Sequence, residues 1–321
     1  MRGSFWRDTL GEISAARAFR GYPVRMAGEF EFIEWLKSQQ RASPLVPVPA
    51  GDDLAVLKWA ADDLLLVGVD QVLDGVHFDS AVHSPRLIGA KVMNRNLSDC
   101  AAMACLPAAA VVSAALPAGC GLEYARELYL GMKGAARKFD CEIVGGDTGS
   151  WGGRLALSVT ILGRSAGIQP VTRANAHPGD GVYVTGPLGG SILGRHMTFE
   201  PRVELARKIA MGFGASSMID LSDGLSRDLC QVCRASKVGA VIEAGRVPIH
   251  PDAVELSKRD GIDPLRHALD DGEDYELLFT SAVPPGIGTL VGNITARQEV
   301  VLEKSHGVEE PLTPRGWEHM M

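Results

Sequence analysis

Asp220-Leu-Ser-Asp-Gly224 is the stretch that most limits what this chain can become. Residues 217–220 have strand character, and Leu225, Leu229 and Val232 fall at helical spacing over 225–235. Two carboxylates therefore meet at a turn from strand to helix, which points to an α/β chain. Asp220 or Ser222 suits the N-cap of that helix. A second reading is that a hard divalent cation, held by oxygen ligands, sits between the two carboxylates and binds a nucleotide phosphate. The helix N-terminus also favours an anion.

The theme recurs along the chain. Five carboxylates are expected at strand ends: Asp53, Asp70, Asp147, Asp220 and Asp223. A sixth, Asp99, falls on a helix expected over 85–103, which also carries Lys91. Any one of them suits a turn or a cap. Five at strand ends point instead to a shared phosphate site where Mg²⁺ bridges phosphate oxygens. Further strands are expected at 64–70, 109–116, 155–163 and 181–186, and helices at 121–139 and 201–213. No GxxxxGK[ST] is present, so the chain is not a P-loop protein, and Gly186-Pro-Leu-Gly189 does not make a GxGxxG fingerprint.

At 321 residues the chain is long for one core. Composition shifts to Pro, Gly, Asn and polar residues between Arg164 and Gly181. The expected division is a tail at 1–25, a first domain at 26–164, a linker at 165–180 and a second domain at 181–321. Residues 1–25 lack apolar periodicity, whereas 28–36 form an amphipathic pattern directly after Met26, the expected start of the folded unit. A formal charge of −7 argues against nucleic acid as a partner, and no apolar run is long and clean enough to span a membrane. Six cysteines with neither a disulfide framework nor a secretory signal point to the cytoplasm. Cys230-Gln-Val-Cys233 has redox or zinc spacing, but no second pair accompanies it.

Taken in order, the motifs resemble those of the thiamine-monophosphate kinases, a family of the aminoimidazole-ribonucleotide-synthetase-like superfamily. The matching pieces are Gly28-Glu-Phe, Gly51-Asp-Asp, Asp70 with Asp74-Gly-Val-His-Phe78, and Lys91 with Asn96-Leu-Ser-Asp-Cys-Ala-Ala-Met103. They continue through Gly145-Gly-Asp-Thr148, Thr172-Arg173, Asp220-Leu-Ser-Asp-Gly-Leu225, Gly272-Glu-Asp-Tyr-Glu-Leu-Leu-Phe279 and Gly316-Trp-Glu-His319.

The resemblance implies ATP-dependent phosphorylation of thiamine monophosphate to thiamine diphosphate. It also implies two α/β domains, the first binding ATP and Mg²⁺ and forming a β-barrel across a homodimer. By position, Asp53, Asp70, Asp99, Asp147, Asp220 and Asp223 match Mg²⁺ ligands. Gly146, Arg173 and Ser222 match ATP contacts, and His77, Glu273 and Trp317 match contacts to the thiamine phosphate. Catalysis would then rest on Asp223, Asp147 and Arg173.

The chemistry of these residue types agrees. The nucleophile would be a phosphate oxygen, already ionised at neutral pH, so in-line positioning and charge neutralisation suffice. Trp317 offers a stacking face for a cationic ring, although on residue type alone His77 suits a satisfied, partly buried histidine and Trp317 a cap on the core.

The chain departs from the family at four places. Gly68-Val69 stand before Asp70 where Ser-Thr is usual, and Pro49-Ala50 stand before Gly51 in place of Gly-Ile. Arg95 replaces a small apolar residue, and Gly149 stands where a second Thr is common. The alternatives are another ATP-using enzyme of the superfamily, of the selenophosphate, aminoimidazole-ribonucleotide or hydrogenase-maturation type, and a non-catalytic nucleotide-binding paralogue.

Overall fold

Leu157, Val159 and Ile161 alternate with partly exposed neighbours along β5 (Ala156–Arg164), so this strand buries one face. It lies at the centre of an open five-stranded sheet. The order is β1 (Ala55–Ala60), β2 (Asp63–Leu73), β5, β3 (Leu106–Pro117) and β4 (Glu142–Trp151), all antiparallel except the parallel pair β3–β4. The structure is a computed structural model that describes residues 47–48, 52–60, 63–212, 214–304 and 307–316. The expected start at Met26, the helix at 28–36 and Trp317 lie outside the described residues.

Two helices cover the buried face of this sheet. α1 (Pro85–Ala102) starts at Ser84, whose hydroxyl accepts the Leu87 N–H, with Pro85 at the first helical position. Its residues Ile88, Val92, Met93 and Leu97 join Leu157, Val159 and Ile161 in one core. α2 (Leu122–Arg137) adds Leu128 and Met132 to that core. The two helices cross through a pair of glycines. A Cβ on Gly89 would lie 2.1 Å from the Leu128 carbonyl oxygen, and one on Gly131 would lie 2.0 Å from that of Arg86.

The second half forms a seven-stranded mixed sheet. Its order is β12 (Val308–Pro311), β11 (Val300–Lys304), β8 (Gly239–Glu243), β10 (Thr289–Thr295), β6 (Gly181–Val184), β9 (Leu277–Ser281) and β7 (Ser217–Asp220). Besides a single helical turn at Arg195–Thr198, the helices of this half are α3 (Val203–Gly212), α4 (Leu225–Ser236), α5 (Pro251–Asp260) and α6 (Pro264–Asp270). α4 buries Leu225, Asp228, Leu229 and Val232, the i, i+3, i+4, i+7 stripe that its apolar spacing predicts. A separate apolar cluster joins the halves, with Ala101 and Ala104 from the end of α1 meeting Val203 and Ala206 of α3, Met218 of β7 and Phe279 of β9. The end of α1 therefore points at the C-terminal end of β7.

One feature differs from expectation. Asp70 and Asp147 lie inside β2 and β4 rather than at strand ends, because both strands run several residues further than their apolar runs. In β4 the extension passes through Gly145 and Gly146, and a Cβ on Gly146 (φ 153°) would lie 1.9 Å from the Val112 carbonyl oxygen. Among the described residues the first sheet is open within one chain, with β1 and β4 as its edges, and Val144 and Trp151 on β4 are exposed.

Gly131→Ala tests the helix crossing. In an exposed helix this change stabilises by up to ~1 kcal/mol. Here the methyl group meets backbone, so a net loss of ~1–3 kcal/mol is expected in urea unfolding. A gain in stability would show that the two helices separate easily.

Candidate active site

Three elements converge where α1 meets β7. Asp220 ends β7, Asp99 lies in the last turn of α1, and Asp53 stands just before β1. One carboxylate oxygen from each lies within 4.8 Å of the others. Asp220 is buried, and its Oδ2 accepts the Ser98 hydroxyl at 2.5 Å. Burial, reinforced by Asp53, pushes Asp220 up to about 8. Burial and the charges of Asp70 and Asp220 raise Asp99 well above the carboxylate range.

Two guanidiniums face this acid. Arg173 grips Asp53 with two N–H groups, Nη2 to Oδ1 at 2.8 Å and Nε to Oδ2 at 3.1 Å. Its backbone N–H donates to Asp52, and its Nη1 donates to Gln231. Arg95 donates from Nε to Asp70 Oδ2 at 2.8 Å. The donor set is all oxygen, anionic and convergent, which fits a hard divalent cation such as Mg²⁺.

The turn after β7 is tied to the loop before β9. The Glu273 N–H donates to the Ser222 carbonyl at 2.7 Å, the Tyr275 N–H to that of Leu221 at 2.9 Å, and the Leu221 N–H to that of Glu276 at 2.8 Å. Glu273 and Tyr275 have φ of 51° and 52°, a left-handed conformation that costs each of them ~1 kcal/mol or more. The bonds to Leu221 and Ser222 and the stacking of Tyr275 on Phe199 hold them there.

Ser222 thus lies directly against Glu273. Asp223 begins the approach to α4, and its N–H donates to Asp228 Oδ2 at 3.1 Å. Gly316 packs against the Asp223 carbonyl from the far side, and its own carbonyl accepts from Arg227.

Glu273 is ionised and held. Its Oε1 lies 2.7 Å from the Lys91 ammonium and accepts the Tyr275 hydroxyl at 3.2 Å. Burial opposes its charge, but Lys91 and Arg95 outweigh that effect and lower its pKa. Burial likewise pulls Lys91 down to about 8, so the pair stays ionised at neutral pH. The Lys91 ammonium also donates to the His77 carbonyl at 2.7 Å. The Nδ1 of His77 accepts the Leu73 N–H at 3.1 Å, which places the ring proton on Nε2.

The structure therefore brings together Asp53, Asp70, Asp99, Asp220, Asp223, Arg173 and Ser222, with Glu273 and His77 linked to them through Lys91 and Arg95. It does not bring Gly146 or Asp147 to the cluster. Both line a separate cleft of about 420 Å³ between α2 and the β3–β4 edge, beside Val112, Ala114 and Tyr129.

Residue-by-residue reading missed three members of the site. Asp228 is buried on α4 and lies close enough to Asp223 and Asp220 for their charges to raise it further. Ser98 and Gln231 hold Asp220 and Arg173. For Asp228 the signal was present, as a carboxylate on the apolar stripe of α4. Cys230 and Cys233 are free thiols raised by burial, Cys233 to about 12, so they lack the lowered pKa of a reactive pair.

Asp220→Asn tests the electrostatics. A carboxyl whose folded pKa is raised favours folding fully only below its unfolded value of ~4, and that contribution is lost as pH rises through about 8. With divalent cations chelated, wild type should lose stability relative to Asp220→Asn across this window, by on the order of a few kcal/mol. Mg²⁺ added at the high-pH end should close the gap. A pH-independent difference would remove Asp220 from the buried acid.

Comparisons with known proteins agree with this geometry. The family described as AIR synthase related protein, N-terminal domain, matches residues 51–165. A thiamine-monophosphate kinase of Rhodopirellula baltica is 44% identical over 261 residues, which span 79% of this chain and 82% of the relative. One from Aquifex aeolicus is 29% identical over 320 residues, 92% of this chain and 99% of the relative.

Among solved structures, AaThiL complexed with AMPPCP and TMP superposes with a TM-score of 0.82 at 28% identity, over 93% of this chain and 99% of that one. Hydrogenase maturation protein HypE in complex with ATP, at 17% identity and a TM-score of 0.64 over 85% of this chain and 90% of that one, shares the fold alone. With its acidic seam and these relatives, the chain belongs to the thiamine-monophosphate kinase family.

Proposed function

We propose that Asp53, Asp99 and Asp220 hold Mg²⁺ against the phosphates of ATP, and that the phosphoryl group passes along the seam between the two sheets. The activity served is ATP-dependent phosphorylation of thiamine monophosphate to thiamine diphosphate. The observation that carries the site reading is the convergence of three carboxylates from three separate elements, within 4.8 Å, with burial raising two of them. When bound, Mg²⁺ neutralises charge on the transferring phosphate.

The chain's own residues supply position and charge. Arg173, one N–H away from Asp53 and Gln231, neutralises phosphate charge on the nucleotide side. Ser222 and the N–H groups at the start of α4 face the same anion, and Asp223 lies among them. On the acceptor side, His77 donates from Nε2 to the phosphate of thiamine monophosphate, with Glu273 beside it. Trp317 is assigned to the thiamine ring, where an indole face suits a cation. The acceptor oxygen is already ionised, so no side chain needs to remove a proton.

ADP release with thiamine monophosphate, measured against other phosphate acceptors, tests this reading. Asp223→Asn should lower kcat by ~100-fold or more. His77→Ala should raise KM for thiamine monophosphate and leave that for ATP within ~2-fold. Near-wild-type turnover of the first variant, or loss of ATP affinity in the second, would overturn the assignments.

The edge strand β4 supports a homodimer. It exposes Val144 and Trp151 beside an edge that pairs with no other strand among the described residues, a surface that monomers seldom leave bare. Pairing there closes the barrel and gives Gly146 and Asp147 a second set of neighbours, which their ATP and metal roles require. Sedimentation should find a dimer that Val144→Arg disrupts; a wild-type monomer would sink this part of the reading.

A further inference from the structure

Lys91, Arg95 and Asp99 lie four residues apart along one stripe of α1, a helix whose remaining buried positions are mostly apolar. Their partners arrive from two other elements. Glu273 lies 2.7 Å from the Lys91 ammonium and 3.6 Å from Arg95 Nη1. Asp70 of β2 lies 2.8 Å from Arg95 Nε. The result is an alternating row, Lys91, Glu273, Arg95, Asp70, that ends against Asp99 and the acidic cluster. It is sheltered: Lys91 is fully buried and the Arg95 side chain is 15% exposed. Asp70 faces the same acid, yet the group whose oxygens lie within 4.8 Å of one another contains Asp53, Asp99 and Asp220 and not Asp70.

We propose that Arg95 is a resident cation that takes Asp70 out of the metal-ligand set, so that this chain's divalent centre rests on Asp53, Asp99 and Asp220. A guanidinium holds one charge and a fixed fork of donors at this point, where a free carboxylate would recruit a further divalent ion. Because the same guanidinium reaches Glu273, it also fixes the distance between the nucleotide–metal half and the acceptor half. Arg95 is thus a positioning residue. Val69 fits the same picture. It is 63% exposed directly before Asp70, and its side chain offers no oxygen to a cation there.

The inference rests on reading Asp53, Asp99 and Asp220 as the metal core, and the experiment separates the two. Mn²⁺ binding to the full chain in the presence of ADP is followed by the electron paramagnetic resonance of free Mn²⁺. Asp220→Asn should weaken binding by ~10-fold or more, whereas Asp70→Asn alone should leave the number of bound ions unchanged and affinity within ~3-fold. Arg95→Met should release Asp70 and either add a Mn²⁺ site or tighten binding by ~10-fold. Adding Asp70→Asn to that variant should remove the gain, and Arg95→Lys, which keeps the charge without the fork, should show a smaller gain than Arg95→Met.

If Asp70→Asn alone costs as much as Asp220→Asn, Arg95 does not withdraw Asp70 and the inference falls, while the metal core stands. A folded Arg95→Met with unchanged Mn²⁺ binding overturns it equally. If the wild type binds no Mn²⁺, the core reading falls and takes this inference with it. The Asp70→Asn comparison decides the matter even if Arg95→Met fails to fold.

Discussion

The repulsion among Asp53, Asp99 and Asp220 is the constraint around which the two halves are arranged. Three carboxylates this close, two of them raised strongly by burial, oppose the packing of α1 against β7. The packing is held by apolar contacts that start immediately beside the acid. Ala101 and Ala104 follow Asp99 by two and five residues, Met218 precedes Asp220 by two, and all three residues are buried in the cluster that joins the halves. The seam is therefore stabilised by hydrophobic burial and loaded with charge at the same place. That combination suits a site that binds a cation and a polyanion, because ligand binding relieves the cost that folding has accepted.

Arg173 and Arg95 divide the compensation between them. Arg173 holds Asp53 from the segment between β5 and β6, and Arg95 holds Asp70 from within α1. Neither donates a hydrogen bond to Asp220, which accepts the Ser98 hydroxyl, although the charge of Arg173 offsets part of its burial. Asp220 and Asp99 thus both gain from a cation, because burial and the neighbouring carboxylates raise them, Asp220 to about 8. The surroundings of Glu273 are built differently. Glu273 is paired with Lys91, Arg95 and Tyr275, so it presents a fixed, already neutralised carboxylate rather than one waiting for a metal.

Much of this was legible in the sequence, and the limits have physical reasons. The strand–turn–helix around Asp220 could be read because apolar spacing switches from continuous to helical within five residues, and the structure has β7 and α4 at those places. The helix carrying Lys91 and Asp99 was legible from Pro85 onward. The positions of Asp70 and Asp147 within their strands were not. Strand length there is set by pairing with β5 and β3, and Gly145, Gly146 and Gly149 carry no apolar signal. The role of Arg95 was hidden for a similar reason. Sequence marks it as an odd residue in a familiar motif, but only the fold brings Asp70 and Glu273, 25 residues before it and 178 after it, to the two sides of one guanidinium.

The loop that carries Glu273 shows why the two halves act as one site. Its left-handed residues are kept in place by backbone bonds to Leu221 and Ser222, the same turn that orients Asp220 and Asp223. Any shift of that turn toward a bound nucleotide must move Glu273, and with it the Lys91 and Arg95 contacts that lead back to α1, His77 and Asp70. The turn after β7 and the loop of Glu273 are thus joined to α1, His77 and Asp70 by short, directional bonds. For a transfer between two phosphates that needs no proton abstraction, catalysis depends chiefly on the separation and alignment of donor and acceptor, and with the site as proposed above this connectivity holds both.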